Sequence, residues 1–199
     1  MRTFSSLLHI KGIGSIIAVL SLVLLTPLTA CQTAVSIPFM SVSHEQSLRD
    51  YRQPTGITEF LVFMTLNDAE RFIAQELHIN PTFPDQQFHF AQRVRTVDFS
   101  QSFAVLVLQG HQESADYGVT TTHVSQFGGI LRVDATFVDP TQPDTWWEYI
   151  VGPNTIRHPM TTDPYHLISV SRSALPAPVT KIELWSRGQL ITTILQPIP

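Results

Sequence analysis

Two stretches of this chain gather side chains able to do acid–base, nucleophilic or metal chemistry. In the first, His111, Glu113, Asp116 and His123 lie close together on a loop and the strand after it. Imidazole and carboxylate suit a divalent ion such as zinc. Their spacing follows no ligand motif, however, and polar side chains are the ordinary content of a loop. In the second, His158, Asp163 and His166 precede Ser169 and Ser171. A Ser-His-Asp triad is defined by geometry and not by chain order, so these residues are its candidates. No Gly-x-Ser-x-Gly elbow accompanies them, and a histidine in a turn or a strand needs no catalytic role. The expectation is a chain with no catalytic residue, no metal and no cofactor. A third group recognises instead of reacting: Trp146-Trp147, with Tyr149 and Tyr117. Neighbouring strand residues point to opposite faces, so one Trp enters a core while the other stays outside. An exposed aromatic anchors a protein interface or stacks on a sugar; the same pair can equally cover an open end of a core. Tyr117, Trp146 and Trp147 are the expected partner-binding residues.

The elements that must position these groups are short strands. Ile57 to Met64 is rich in β-branched and aromatic residues and reads as a strand. The period then changes. Asn67-Asp68-Ala69-Glu70 supplies a helix start, and Leu66, Phe72, Ile73 and Leu77 follow at helical spacing, which predicts one helix over about 66–77. Residues 78–95, with Pro81 and Pro84, give no clear element; Phe83, Phe88 and Phe90 point to a local aromatic cluster there. Phe103 to Leu108 is continuously apolar, so both its faces are expected to be buried. Gly118 to Val124 and Ile130 to Val138 flank a Gly128-Gly129 hairpin turn, with Leu131, Val133, Ala135 and Phe137 facing inward. Trp146 to Val151 reads as a short edge strand and Pro164 to Ser171 as a further strand. Lys181 to Leu195 closes the chain as a hairpin around Arg187-Gly188. The fold class expected is mainly β: a small antiparallel β-sandwich or open barrel with one appended α-helix.

Charge and cysteine bound the function. Arg2 and Lys11 lead into an apolar run from Gly12 to Leu25, and Leu28-Thr29-Ala30-Cys31 follows. A charged segment, an apolar run and small residues make a secretory signal over 1–30; the run is shorter than the roughly 20 residues a transmembrane helix needs. Removing those 30 from 199 residues leaves 169, with ten basic side chains against sixteen acidic ones, a net charge of −6. That balance, with no basic run after Lys11, argues against nucleic acid. Cys31 is the only cysteine, so the exported domain has no disulfide, zinc knuckle or cysteine nucleophile. Gln32 to Thr55 is polar and irregular. Residues 31–55 are expected to be a tether, with an ordered docking onto the domain as the alternative, and 56–199 a single β-rich domain.

Leu28-Thr29-Ala30-Cys31 resembles the lipobox of bacterial lipoproteins. That resemblance implies that Cys31 becomes the first mature residue, carrying diacylglycerol on sulfur and an acyl chain such as palmitate on its amine. Cleavage after Ala30 with an unmodified cysteine is the alternative. The partner implied is the lipid bilayer, and the location is the cell envelope, facing outside the cytoplasm. Gln32, where an Asp retains some lipoproteins at the inner membrane, favours an outer or surface position in a two-membrane host. A second resemblance spans Thr96 to Ser171. Val97-Asp98-Phe99-Ser100, the apolar strand ending at Gly110, Asp116 to Val124, Leu131 to Pro140 and Pro164-Tyr165-His166 to Val170 resemble the carboxy-terminal domain of PrcB-type protease-complex subunits. That family usually has a Pro-Thr-Gly-Gly-Tyr type loop after its first strand. Here His111 to Tyr117 stands instead and only the Tyr matches, which puts a contact through that loop in doubt. The resemblance implies a non-catalytic accessory lipoprotein that binds and stabilises an extracellular protease complex. A small-ligand or glycan-binding lipoprotein is the alternative.

Overall fold

The computed structural model describes residues 33–45, 58–77, 84–140 and 162–199, with the backbone alone at 84–88. Cys31, Trp146, Trp147, Tyr149 and His158 lie outside the described residues, as does the strand expected over Trp146 to Val151. The strands run β1 (Val35–Ser36), β2 (Phe39–Glu45), β3 (Glu59–Phe63), β4 (Ser102–Leu108), β5 (Gly118–Phe127), β6 (Ile130–Val138), β7 (Tyr165–Ser171), β8 (Lys181–Ser186) and β9 (Gln189–Ile194). Helices α1 (Leu66–Glu76) and α2 (Pro84–Val94) fall between β3 and β4. Two sheets form, in the orders β1-β5-β6-β8-β9 and β2-β7-β4-β3. The molecule is a mainly β sandwich and not a closed barrel. Among the described residues every strand pair is antiparallel except β6 with β8, which runs parallel, Ile130 opposite Lys181 through Asp134 opposite Trp185.

Alternation along the strands builds two apolar layers. Phe103, Val105 and Val107 of β4, with Ile168 and Val170 of β7, meet Val119 and Val124 of β5, Leu131, Val133 and Ala135 of β6, and Ile182 and Leu184 of β8. The opposite faces of β4 and β7, through Ala104, Leu106, Leu108, Tyr165 and Leu167, pack on Phe72 of α1 and Phe90 and Val94 of α2. The four-stranded sheet is thus covered on both sides, which is why Phe103–Leu108 carries no polar residue: all six are fully buried. At the β8–β9 hairpin both central residues take the left-handed conformation, Arg187 at φ 49° and Gly188 at φ 76°, as a type I′ turn requires.

Three expectations change. First, residues 33–45, expected within a tether, take the alternative and dock in order onto the sandwich. β1 pairs with β5, Ile37 donates its N–H to Val124 O at 2.8 Å with its side chain in the core, and β2 pairs along β7. β2 is an edge strand in which Phe39 and Val42 rest on the two cores while Ser41, Ser43 and His44 bond to His166, Tyr165 and Thr120, so its apolar signal is interrupted. Second, α1 has the expected span, but its start signal is not Asn67. Thr65 is its cap, its side chain accepting from Asp68 N at 3.2 Å while Asp68 Oδ2 accepts from Thr65 N at 3.0 Å. Third, α2 is a second helix where none was assigned. Pro84 occupies its first position, where a missing N–H costs nothing, and Phe90 packs edge-on against Phe72 (5.9 Å) and Tyr165 (5.6 Å).

Candidate functional site

One end of the sandwich brings together His111, Asp116, Tyr117 and Asp163. β4 leaves the sheet there at Gln109, β5 enters at Gly118 opposite Val138 of β6, and β7 begins at Tyr165 opposite Leu108. The loop between β4 and β5 is pinned to residues 162–164 by a dense set of bonds. Gln109 N donates to Pro164 O (2.9 Å), Gln112 and Thr162 exchange backbone bonds (2.8 and 2.9 Å), and Thr162 Oγ1 donates to Ser114 O (2.9 Å). Gln109 Nε2 donates to Val138 O at 2.8 Å and so ties the two sheets together at this rim. Its Oε1 is buried without a hydrogen-bond partner. Because a carbonyl must receive a donor, the Val138 bond also fixes which amide atom is which.

Within this rim His111 meets Asp163, Nδ1 to Oδ1 at 3.1 Å, with the carboxylate largely buried and the imidazole about one-third exposed. Asp163 thereby draws together the two sequence groups that were weighed separately. Asp116 turns to Ser114 Oγ at 2.8 Å, and His123 stands exposed on β5. Among the described residues no three His, Cys, Asp or Glu side chains converge in a way that could hold a metal ion. Tyr117 is half-buried and lines an open cavity of about 410 Å³ together with Gln109, Gln112, Phe137, Arg187 and Gln189. The segment that carries Trp146 and Trp147 departs after Pro140, two residues past β6, and the chain is described again at Thr162. Both departure and return belong to the rim that holds Tyr117.

The second histidine goes elsewhere. β7 alternation turns His166 into the space between the sheets, the same way as Ile168 and Val170, while Ser169 takes the opposite face. Ser171 is at the far end of β7, about 20 Å from Tyr165 at a rise of roughly 3.3 Å per residue. His166 Nδ1 accepts the backbone N–H of Thr121 at 2.8 Å, and Nε2 lies 2.8 Å from Ser41 Oγ. An Nδ1 that accepts leaves the proton on Nε2, so the ring donates to Ser41 and cannot act as its base. Burial, joined by the neighbouring His44 ring at 4.9 Å, pushes the His166 pKa down to about 4. The contact sits at the bulge in β5 between Thr121 and His123, where the ladder leaves Thr121 to find a partner outside its sheet. His166 is a cross-sheet tie. The described residues of the proposed triad are therefore not assembled: Asp163 serves His111, and His166 serves Thr121 and Ser41.

The sequence reading missed Gln109, Gln112 and Arg187 as rim residues. Only the Arg-Gly pair carried a usable signal, since a hairpin turn places its side chains at a strand end. It also missed a polar ladder on the outer face of the five-stranded sheet. There Arg132 makes a bidentate bond to Asp134 (2.9 and 2.6 Å) and lies 4.3 Å over the Trp185 ring, and Trp185 Nε1 donates to Glu183 at 2.9 Å. Lys181 completes it at 2.8 Å from Glu183, holding that carboxyl below its usual range, with help from Trp185.

The chain matches no protein-family model, no curated protein and no solved structure. The likeness of Thr96–Ser171 to the PrcB-type domain rests on the residues quoted for it. No helix among the described residues is long and apolar enough to cross a membrane.

Proposed function

We propose that this chain is an accessory lipoprotein of the cell envelope, held to the bilayer through acylated Cys31, whose sandwich binds and stabilises an exported partner protein, a protease complex. It is not an enzyme on this reading. The lipobox pattern supports the anchor, and the PrcB-type resemblance supports the kind of partner. The observation that carries the binding site is the pinned rim: Tyr117 lines its cavity with Asp139, just before the segment that bears Trp146 and Trp147, and Gln112 of the same loop pairs with Thr162, just after it. Large amphipathic side chains on a rigid support are the residues that dominate interface energies. The test is capture of the partner from detergent-solubilised native membranes by the tagged chain. Replacing Tyr117, Trp146 and Trp147 by Ala should weaken capture by tenfold or more, as expected for losing about 1.4 kcal/mol or more at an anchor. Unchanged capture by a folded triple variant would refute the anchors. Cys31→Ser should move the chain from the membrane to the soluble envelope fraction; a chain still membrane-bound would refute the lipid anchor.

The rim cavity favours a second reading, a small-ligand or glycan-binding lipoprotein. Its three glutamine amides beside Tyr117 and Phe137 offer hydrogen bonds to hydroxyls and ring faces to a sugar. Intrinsic fluorescence against a glycan panel separates the two. A saturable response would favour the ligand, and silence across the panel would leave the protein partner.

A further inference from the structure

The sandwich exposes a second recognition surface, well apart in character from the rim. β3 ends the order of its sheet, and among the described residues nothing pairs with its outer edge. Open edges are usually blunted by shortness, by bulges or by charge. β1 is two residues long, β2 shifts register between Ser41 and Ser43, and the pairing of β9 shifts where Ile191 is passed over. β3 pairs regularly from Glu59 to Phe63 without a shift. Beside it runs α1, and the two elements wall a groove of about 610 Å³. Leu61 contributes its apolar surface, over a floor of buried Phe63 and Phe72 whose rings lie 5.5 Å apart.

We propose that this groove receives an extended, lysine- or arginine-bearing segment of the partner protein, which adds to β3 as a further strand. The mode rests on the partner-binding reading above and gives it a recognition chemistry. An edge strand offers a row of backbone donors and acceptors, and an adjacent wall supplies contacts for alternate side chains. Charge selects the occupant. Glu59, Asp68, Arg71 and Glu76 line the groove; Arg71 lies 3.9 Å from Asp68, whose Oδ2 also accepts from Thr65, so Glu76 at the end of α1 is the carboxylate that meets an incoming segment. An acidic segment is repelled there and a basic one is held. Alternate residues of an added strand point to opposite faces. One set meets α1, where a lysine stem covers Leu61 while its ammonium group reaches Glu76. The other set meets Val62 and Met64, which pack towards the sandwich core.

The test uses the full chain in mild detergent and a fluorescein-labelled peptide of about eight residues, a usual strand length, alternating valine and lysine. Controls are the same peptide with glutamate for lysine, and one N-methylated at alternate amides. Expected are a saturable rise in anisotropy with the lysine peptide alone, and slower amide exchange within Glu59–Phe63. Glu76→Lys, which places a cation at a helix C-terminus and so does not strain the fold, should weaken binding about fivefold, the scale of an exposed charge contact. Three results would overturn the proposal. No peptide binds; exchange slows in β9 and not β3; or β3 amides are protected without peptide as protein concentration rises, which makes a second copy the occupant. Membrane capture separates this from the parent reading. A partner captured equally by the Glu76→Lys variant sinks the groove alone. A bound peptide with no partner captured sinks the accessory role and leaves the groove.

Discussion

His111 and His166 carry the same sequence signal, a histidine a few residues from carboxylates and hydroxyls, and the fold uses them oppositely. His166 is 3% exposed and clamps two sheets; His111 is partly open at the rim and faces Asp163. The partner of Nδ1 makes the difference. At His166 it is a backbone N–H, which forces that nitrogen to accept and holds the ring neutral. At His111 it is a carboxylate, which can only accept, so Nδ1–H donates to it. Type and local spacing are therefore poor guides to a histidine's role. The atom across from Nδ1 decides it, and that atom lies 45 residues away in one case and 52 in the other.

The largest expected effect tests the structural side of this contrast. His166→Leu keeps the volume near its original value but leaves Thr121 N–H buried without an acceptor and Ser41 without its donor. The orphaned Thr121 amide costs about 1–3 kcal/mol and the lost bond to exposed Ser41 about 1 more, so the variant should lose up to about 4 kcal/mol and its Tm should fall by roughly 10 °C. A Tm within a degree or two of the parent would remove His166 from the structural role. Acid provides a slightly smaller effect at the same residue. The folded pKa of about 4 lies below the ordinary 6.5, so between those values the unfolded chain binds the extra proton. This contribution is full above pH 6.5 and is lost as pH falls towards 4, about 3 kcal/mol in all. Chemical denaturation across that range should show the slope in the parent and a shallower one in His166→Leu. Equal slopes would mean that other groups carry the acid sensitivity.

Much of the frame in which these histidines sit was legible. A run such as Phe103–Leu108 announces burial on both faces because no other environment tolerates six apolar residues in a strand. The alternation through Ile130–Val138 gave its inward set correctly, and Arg187-Gly188 marked its turn. Elements with an interrupted apolar pattern were hidden: β2 reads as linker because serine and histidine stand among its apolar residues, and the parallel β6–β8 contact leaves no local trace. α2 was obscured by its own Pro84, read as a breaker when it was a start. The site was less legible than the fold. The bonds from Gln109 to Val138 and from His111 to Asp163 join residues 29 and 52 positions apart, and no spacing rule reaches that far.

The rim side of the contrast predicts smaller changes. His111→Gln should cost under about 1 kcal/mol, since a partly exposed pair contributes little; a loss near that of His166→Leu would erase the distinction between the two histidines.

The smallest expected change has the opposite sign. Arg187 sits at φ 49°, a conformation that L side chains other than Asn and Asp adopt reluctantly. A type I′ hairpin turn prefers Asn-Gly, so Arg187→Asn should raise stability by about 0.5 kcal/mol, readable as a small increase in denaturant midpoint. The arginine lines the rim cavity with Tyr117. If the rim binds the partner, this variant gains stability and loses capture together, because local strain is retained where it positions a side chain for function. Stability rising with capture intact would show that the strained turn serves no recognition, and would confine the rim's role to Tyr117 and its aromatic neighbours.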